Sequence, residues 1–410
     1  MKIHFIGIGG IGVSALAQYY LEKGHEISGS DLAASEITDF LAKKGIKIFI
    51  GNDSENISKD LDVVVYSPAI KPENFELAAA KALDIKLHSY PEALGRLTRQ
   101  YYTIAVAGSH GKSTTTAMVA LILVKAGIDP TVIVGTKLKE FGNTNFRAGK
   151  SKYLVIEACE YDGSFLEYSP KIAVITNVDK EHLDYFKTFA NVKKAFKDFA
   201  KKVPEDGFLI TEKNLPRKDV RKIKLQVPGK HNISNALAAL AVARILGIDD
   251  KISLKALSEF TGTWRRFETK EVQISNFKFQ IVSDYGHHPT EVKATLQAAR
   301  EKYPKQKIWL IFQPHQYQRT YYLFKDFVKL FKTVKIDEII ITDIYDVAGR
   351  EEKGITKSVT SEKLVKKISK KSVQYMHIDE AEKFVKKNIK SGEVLIIMGA
   401  GSIYKLYDKF

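Results

Sequence analysis

The stretch that most limits what this 410-residue chain can fold into is Tyr102–Thr116, YTIAVAGSHGKSTTT. Thr103–Ala107 is a β-branched, apolar run, the pattern of a buried strand. Gly108-Ser109-His110-Gly111 then turns the chain, and Lys112-Ser113-Thr114 opens an amphipathic helix that ends near Gly127. Strand, glycine turn and helix in that order form a phosphate cradle. Backbone N–H groups uncovered by the glycines, with the positive end of the helix, face a polyphosphate. Lys112 can reach its β- and γ-oxygens, and the Ser113 hydroxyl can ligate Mg²⁺. The spacing is the compact G-x-x-G-K-S; the earlier glycine of the longer pattern is Val106 here. A glycine turn before an ordinary helix is the bland alternative, and the three parts together favour nucleotide binding over it.

Alternation of strand and helix patterns runs through the whole sequence, which predicts an α/β protein. The length allows two or three domains, and three are expected: a Rossmann-like domain over 1–99, a central P-loop ATPase-type domain over 100–266, and a second Rossmann-like domain over 267–410. In the first, strand Ile3–Ile6 enters Gly7-Ile8-Gly9-Gly10-Ile11-Gly12, and a helix leads to a second strand ending at Ser30-Asp31. Gly7, Gly9, Gly10 and Gly12 suit a diphosphate on a helix N-terminus, with an acid on a ribose or base. Taken alone, that pattern reads as NAD binding. The loop Ser67–Pro72 follows a strand, where open sheets place ligands, and reads equally well as a structural turn.

In the central domain, Tyr153–Glu160 reads as a strand carrying acids. A carboxylate in or ending a buried strand is costly unless it meets a cation, so Glu157 is the stronger Mg²⁺ candidate and Glu160 and Asp162 the weaker ones. Cys159 lies between them, where a buried thiol is usually inert packing. The strand Ile172–Val178 exits into Asp179–Asp184, and His182 there reads either as a loop histidine or as a ligand. Gly142–Asn145 is a polar turn of open role. Asn232 and Asn235 stand i, i+3 at a helix start after His231, so both amides can face one ligand, or one is simply the N-cap. Arg265 and Arg266 stand at the junction with the third domain. That domain carries polar clusters after successive strands, at Asp284–Pro289, Gln313–Thr320, Asp343–Asp346 and Gly399–Ser402. Packing alone does not explain such a series, which points to a wall of an active cleft.

The formal charge of +16 raises nucleic acid as a partner. Its lysines, however, are scattered on helical faces without a groove-reading motif, so attraction for anionic small molecules is expected instead. No apolar run approaches the roughly 20 residues needed to span a bilayer, the N-terminus reads as a strand rather than a signal peptide, and the single cysteine fits a reducing compartment. A cytoplasmic protein without membrane insertion is expected.

Eight stretches, in order, resemble the Mur ligases of peptidoglycan synthesis: GIGGIG at Gly7–Gly12, GSHGKST at Gly108–Thr114, EACEYDGSF at Glu157–Phe165, TNVDKEHLDYF at Thr176–Phe186, HNISNALAA at His231–Ala239, WRRFE at Trp264–Glu268, DYGHHPTE at Asp284–Glu291 and FQPHQYQRT at Phe312–Thr320. The resemblance implies ATP-dependent amide ligation, and is strongest to the members that add L-alanine to UDP-N-acetylmuramate. ATP would phosphorylate the lactyl carboxylate, and the amine would attack the acyl phosphate. Both reacting groups are anionic, so Mg²⁺ and lysine must neutralise charge. By matching positions, Gly108–Thr114 would cradle ATP and Lys112 would hold the transferring phosphoryl group. Ser113 and Glu157 would hold Mg²⁺, and His182 a second metal. His231, Asn232 and Asn235 would contact the nucleotide, Arg266 the phosphates and Asp284 the ATP ribose. The first glycine loop would take the UDP diphosphate, with Ser30, Asp31 and Ser67 nearby. Arg319 would clamp the amino-acid carboxylate, with Tyr285 and His287 beside it; some relatives have a second arginine at Gln316. The resemblance also implies catalysis dependent on closure of the third domain, and a monomer or weak homodimer.

Two departures stand out. Lys202–Gly229 is shorter than in most relatives, so part of a peripheral sheet is expected to be missing, and Cys159 replaces an aspartate common among them. Some Mur ligases carry a carbamoylated lysine, and nothing marks one here, Lys197 included. Within the family the alternative is a recycling ligase that attaches a preformed tripeptide. Outside it stand an NAD-dependent oxidoreductase built on Gly7–Gly12, which leaves Lys112, Glu157 and His182 without tasks, and a nucleotide-gated binding module without turnover.

Overall fold

The computed structural model describes residues 1–274, 277–346 and 354–410. Its strands are β1 (Lys2–Ile6), β2 (Glu26–Asp31), β3 (Lys47–Ile50), β4 (Val63–Tyr66), β5 (Lys86–Ser89), β6 (Tyr102–Ala107), β7 (Thr131–Leu138), β8 (Thr144–Arg147), β9 (Tyr153–Glu157), β10 (Ile172–Ile175), β11 (Phe208–Thr211), β12 (Glu268–Ile274), β13 (Phe277–Asp284), β14 (Ile308–Phe312), β15 (Glu338–Ile341), β16 (Val373–Tyr375) and β17 (Val394–Met398). They form three sheets, in agreement with the α/β expectation. Packing groups the chain into two compact units. One holds Met1–Asp179, Ala190–Lys224 and Asn235–Ser258, with the first two sheets; the other holds Lys180–Phe189, Leu225–Ser234 and Glu259–Phe410, with the third.

The first sheet is wholly parallel, in the order β3-β2-β1-β4-β5. The order reverses between β1 and β4, so the Gly7–Gly12 loop and Ser67 both leave the sheet at the switch point, where doubly wound sheets bind ligands. The second sheet runs β11-β10-β6-β9-β7-β8, parallel except for β8. β6 is central, and Thr103–Ala107 are buried, as in a parallel strand within an α/β sheet. β9 and β10 flank it, so the segments after β6, β9 and β10 leave the same edge.

The third sheet runs β12-β13-β17-β14-β15-β16, parallel apart from the β12–β13 hairpin. Its strands alternate with period two. Leu310, Phe312, Ile339, Ile341 and Ile396 pack with Val292, Phe327, Phe331 and Leu364 of the helices on one face. Trp309, Ile311, Ile340, Leu395 and Ile397 pack with Ala381, Val385 and Leu406 on the other. Each such side chain contributes about 1.5–3 kcal/mol on burial, which fixes the register.

Several elements differ from the sequence reading. β9 ends at Glu157, so Glu160 lies beyond the strand. The Gly142–Asn145 turn closes a hairpin of β7 and β8. Its Asn145 packs on the first helix (Ile11–Glu22), accepting from Gln18 Nε2 at 2.9 Å and donating to Ser14 Oγ at 2.9 Å and to the Ile11 carbonyl. That polar turn therefore joins the first two sheets. β12 and β16 were also not anticipated.

Candidate active site

The cradle between β6 and the helix Lys112–Lys125 is tied to the chain leaving β10. Ser109 N donates to Asn177 O (3.1 Å), His110 N to Asn177 Oδ1 (2.9 Å), and Thr176 Oγ1 to His110 O (2.6 Å). His110 Nε2 lies 3.1 Å from Asp179 Oδ2. Two glycines are needed for these approaches. At Gly108 (φ 139°) a Cβ would fall 1.9 Å from Thr176 Oγ1, and at Gly111 (φ 83°) 2.4 Å from Asn235 Oδ1. Both φ values also lie where L side chains are strained. Gly111 is the helix N-cap, and no side chain caps it, so first-turn N–H groups are left for an anion.

Lys112 Nζ donates to Gly108 O (2.6 Å), Ser109 O (3.2 Å) and Glu160 Oε2 (2.9 Å). Burial is the largest single influence and works against its charge, but Glu160, Cys159 and Glu157 together outweigh it and raise the ammonium pKa. Glu160, read from sequence as a weaker metal candidate, is thus the partner of the cradle lysine, and its side chain is fully buried. Asp162, the other weaker candidate, is exposed on a turn with φ 55°. Glu157 Oε2 accepts from Ser113 Oγ (2.8 Å) and from Gly135 N (2.9 Å). The two expected metal ligands are therefore adjacent. Two hard oxygens at that spacing suit Mg²⁺, which takes one or two protein oxygens and keeps several waters. The Cys159 thiol is pushed up to about 12, by desolvation first and the Glu160 charge second, so it stays protonated and unreactive.

At the first glycine loop, Gly9 N donates to Asp31 Oδ2 (2.8 Å), while Gly7 and Ile8 both donate to Ser30 O. Gly10 caps the following helix without a side-chain bond. Ser67 stands across the loop, its Cβ 3.0 Å from where a Cβ on Gly7 would lie. The buried Ser30 hydroxyl donates to Glu76 Oε2 (2.6 Å), so it braces the strand end from within. Glu76 also accepts from Asn56 (2.7 Å).

In the second unit, the two junction arginines divide their roles. Arg265 is buried, donates to Gly399 O (2.5 Å) and lies 4.8 Å and 4.4 Å from the rings of Tyr285 and Tyr404. Arg266 lies 5.0 Å from the Tyr285 ring and 3.5 Å from Glu291 Oε1. Asp284, expected at a ribose, turns inward: Oδ2 accepts from Phe267 N (2.9 Å), and Oδ1 accepts from Gly286 N (2.8 Å) and Thr295 Oγ1 (3.2 Å). Burial raises its carboxyl pKa. In this conformation it orders the loop that presents Tyr285 and His287.

His287 lies 3.1 Å from Tyr285 O and 3.4 Å from Glu291 Oε2. Burial, then the Arg319 charge, hold its pKa down at about 4. Arg319 Nε donates to Glu181 Oε1 (3.2 Å), and Nη1 donates to His315 O (3.2 Å). His182 follows Glu181 with a left-handed φ of 53°, and with Gln316 and Arg319 these residues line a cavity of about 20 Å³. Asn232 is buried and donates to Pro228 O (2.7 Å); His231 beside it is exposed. Thr176, Asn177, Asp179 and Glu181 were not singled out as site residues by sequence reasoning, although all four lie in one quoted stretch, TNVDKEHLDYF.

Three family models cover most of the chain: "Mur ligase family, catalytic domain" matches residues 2–102, "Mur ligase middle domain" 106–219, and "Mur ligase, glutamate ligase domain" 265–401. The UDP-N-acetylmuramate–L-alanine ligase of Aquifex aeolicus is 41% identical over 454 aligned residues, covering 100% of this chain and 97% of that protein. The enzyme of the same name from Caldanaerobacter subterraneus subsp. tengcongensis is 42% identical over 457, with 100% and 97% covered. The crystal structure of UDP-N-acetylmuramate-alanine ligase from Thermotoga maritima superposes with a TM-score of 0.83 at 30% identity, covering 100% of this chain and 98% of that one. The alignments run longer than 410 residues, so these relatives carry internal segments that this chain lacks.

Proposed function

The chain belongs to the Mur ligase family, and from that premise we propose that it joins L-alanine to the lactyl carboxylate of UDP-N-acetylmuramate, with ATP cleaved to ADP and phosphate, in peptidoglycan synthesis. The specificity rests on relatives of that name at about 41% identity over the full chain. The observation that carries the chemistry is the cradle: Lys112 held at the Gly108–Gly111 turn, with Ser113 and Glu157 in hydrogen-bond contact beside it.

The γ-phosphoryl group lies within reach of Lys112 and the uncapped helix N-terminus, which draw charge from the transferring oxygens. Ser113 and Glu157 would hold Mg²⁺, whose charge would offset that of the phosphates during transfer to the lactyl carboxylate. His182 would serve a second metal. Gly7–Gly12 take the UDP diphosphate on the helix beginning at Ile11, with Asp31 and Ser67 at its rim. His231, Asn232 and Asn235 contact the nucleotide, and Arg266 its phosphates. The amino-acid carboxylate meets Arg319. The resulting acyl phosphate is attacked by the neutral amine, and phosphate leaves from the tetrahedral intermediate. His287, neutral at physiological pH, adds no positive charge to repel the ammonium group of the incoming zwitterion.

The test is phosphate release from ATP and Mg²⁺ with UDP-N-acetylmuramate, adding L-alanine, glycine, L-serine or the cell-wall tripeptide separately. Release fastest with L-alanine, and a product heavier by one alanyl residue, is expected. Release with the tripeptide alone would assign the recycling reaction instead. Tight ATP binding without turnover would leave a binding module.

A further inference from the structure

Glu181 is a buried carboxylate to which the reaction above gives no task. Its side chain is 5% exposed, that of Arg319 is 10% exposed, and the two meet at 3.2 Å across 138 residues of sequence. A second group, His315, takes Arg319 Nη1, through its carbonyl at 3.2 Å and with Nδ1 at 3.0 Å. Among the described residues, Nη2 has no partner. The guanidinium is thus fixed at two of its three nitrogens and open at the third, beside a cavity of about 20 Å³ lined by Gln316 and Gln318.

We propose that Glu181 is a positioning residue for the amino-acid subsite: it holds the Arg319 guanidinium in the plane that presents Nη2 to the carboxylate of the incoming amino acid. The inference rests on the reading of the protein as an L-alanine-adding ligase. An arginine side chain swings about four torsions. A single cation on the six-residue helix Tyr317–Tyr322 would otherwise have to be ordered by the substrate itself, at the cost of affinity. A carboxylate on Nε and an imidazole-bearing residue on Nη1 do that ordering in advance. Planar, forked recognition of a carboxylate depends on such orientation more than on charge alone. Gln316, an amide beside the arginine, adds no second cation, so the orientation of this one decides how well the carboxylate is held.

Glu181→Gln keeps the size and one acceptor oxygen but removes the charge that fixes Nε. The expected result is a KM for L-alanine raised at least 10-fold, kcat within about threefold of wild type, and KM for ATP and UDP-N-acetylmuramate within twofold. Glu181→Asp, which keeps the charge, should recover most of the alanine KM, and it carries the test if Glu181→Gln does not accumulate folded. In the double variant with Arg319→Lys, the two KM effects should be far from multiplicative, because both act on one contact. A KM for L-alanine that is unchanged or lowered overturns the proposal, since a carboxylate that merely competed for Arg319 would lower it. A fall in kcat without a KM change also overturns it, by placing the effect at neighbouring His182. Wild-type enzyme that turns over the tripeptide but not L-alanine removes the underlying reading instead, and the proposal with it.

Discussion

At Lys112 the structure changes what a substitution should do. The sequence alone predicts that Lys112→Ala ends turnover and leaves the fold intact. Glu160, however, is fully buried against the ammonium, and removing one member of such a pair strands the other, typically at about 3–5 kcal/mol. Lys112→Ala is therefore expected to lose turnover by at least ~10³-fold and also to melt several degrees lower. A Lys112→Met, Glu160→Gln double variant should regain the lost melting temperature but none of the turnover. Wild-type rates in Lys112→Ala would remove Lys112 from the phosphoryl site, and an undisturbed melting temperature would mean that Glu160 protonates without penalty. His287 makes a second prediction. Its folded pKa, about 4, lies below the ordinary 6.5, so the unfolded chain binds its proton first as pH falls. The stability due to the neutral imidazole is complete above pH 6.5 and is lost as pH falls through about 4, by about 3 kcal/mol in all. His287→Asn should flatten that part of the melting-temperature profile between pH 6.5 and 4; an identical profile in the variant would assign the loss to other groups.

Among elements, the hairpin of β7 and β8 has the largest consequence that sequence did not disclose. Asn145 is 5% exposed and Gln18 1%, and the bonds from Asn145 to Gln18 and Ser14 tie the hairpin to the first helix across 127 and 131 residues. Asn145→Ala removes these bonds and leaves one buried Gln18 N–H without its acceptor, although Gln18 keeps its bond to Ser14 O and Ser14 its bond to Ile11 O, a cost of about 1–3 kcal/mol. Thermal unfolding should begin several degrees lower, with faster hydrogen exchange in the helix Ile11–Glu22; unchanged exchange there would mean that apolar packing alone joins the two sheets. The contrast with the cradle explains what could be read in advance. Gly108, Gly111, Lys112 and Ser113 announce themselves because a turn and a helix start are written in adjacent residues, and β6 and the strands of the third sheet because their apolar runs are continuous. Glu157 was legible as an acid ending a buried strand, a local anomaly. The pairings Lys112–Glu160 and Arg319–Glu181, and the inward turn of Asp284 to Phe267 N and Thr295, depend on which distant segments the topology brings together. Residue pattern carries no record of that. The bond of Ser30 was hidden for the same reason: its place at a strand tip is local, whereas the Glu76 that takes its hydroxyl lies 46 residues away.

For the molecule as a whole, the property that reaches beyond any contact is charge. With 64 lysines and arginines against 48 acids, the net charge is +16, while both nucleotide substrates of the proposed reaction are polyanions and L-alanine is a neutral zwitterion. A field of this sign raises the encounter rate of anions, by up to 10–10³-fold in strongly focused cases. Salt shortens its reach, from a Debye length of about 10 Å at 0.1 M to about 3 Å at 1 M. The distributed lysines are therefore expected to act through kcat/KM for the nucleotides rather than through kcat. Raising ionic strength from 50 to 500 mM should lower kcat/KM for ATP and UDP-N-acetylmuramate by about 3–10-fold, and that for L-alanine, measured at saturating nucleotides, by less than twofold. Equal salt dependence for all three substrates would contradict steering, because a zwitterion has no net charge for a distant field to pull. Dependence confined to ATP would locate the effective charge at the cradle and not in the scattered lysines. Reversing the charge of three exposed lysines that belong to neither glycine loop, such as Lys366, Lys367 and Lys387, separates these cases: long-range steering predicts a smaller salt slope for both nucleotides with kcat untouched.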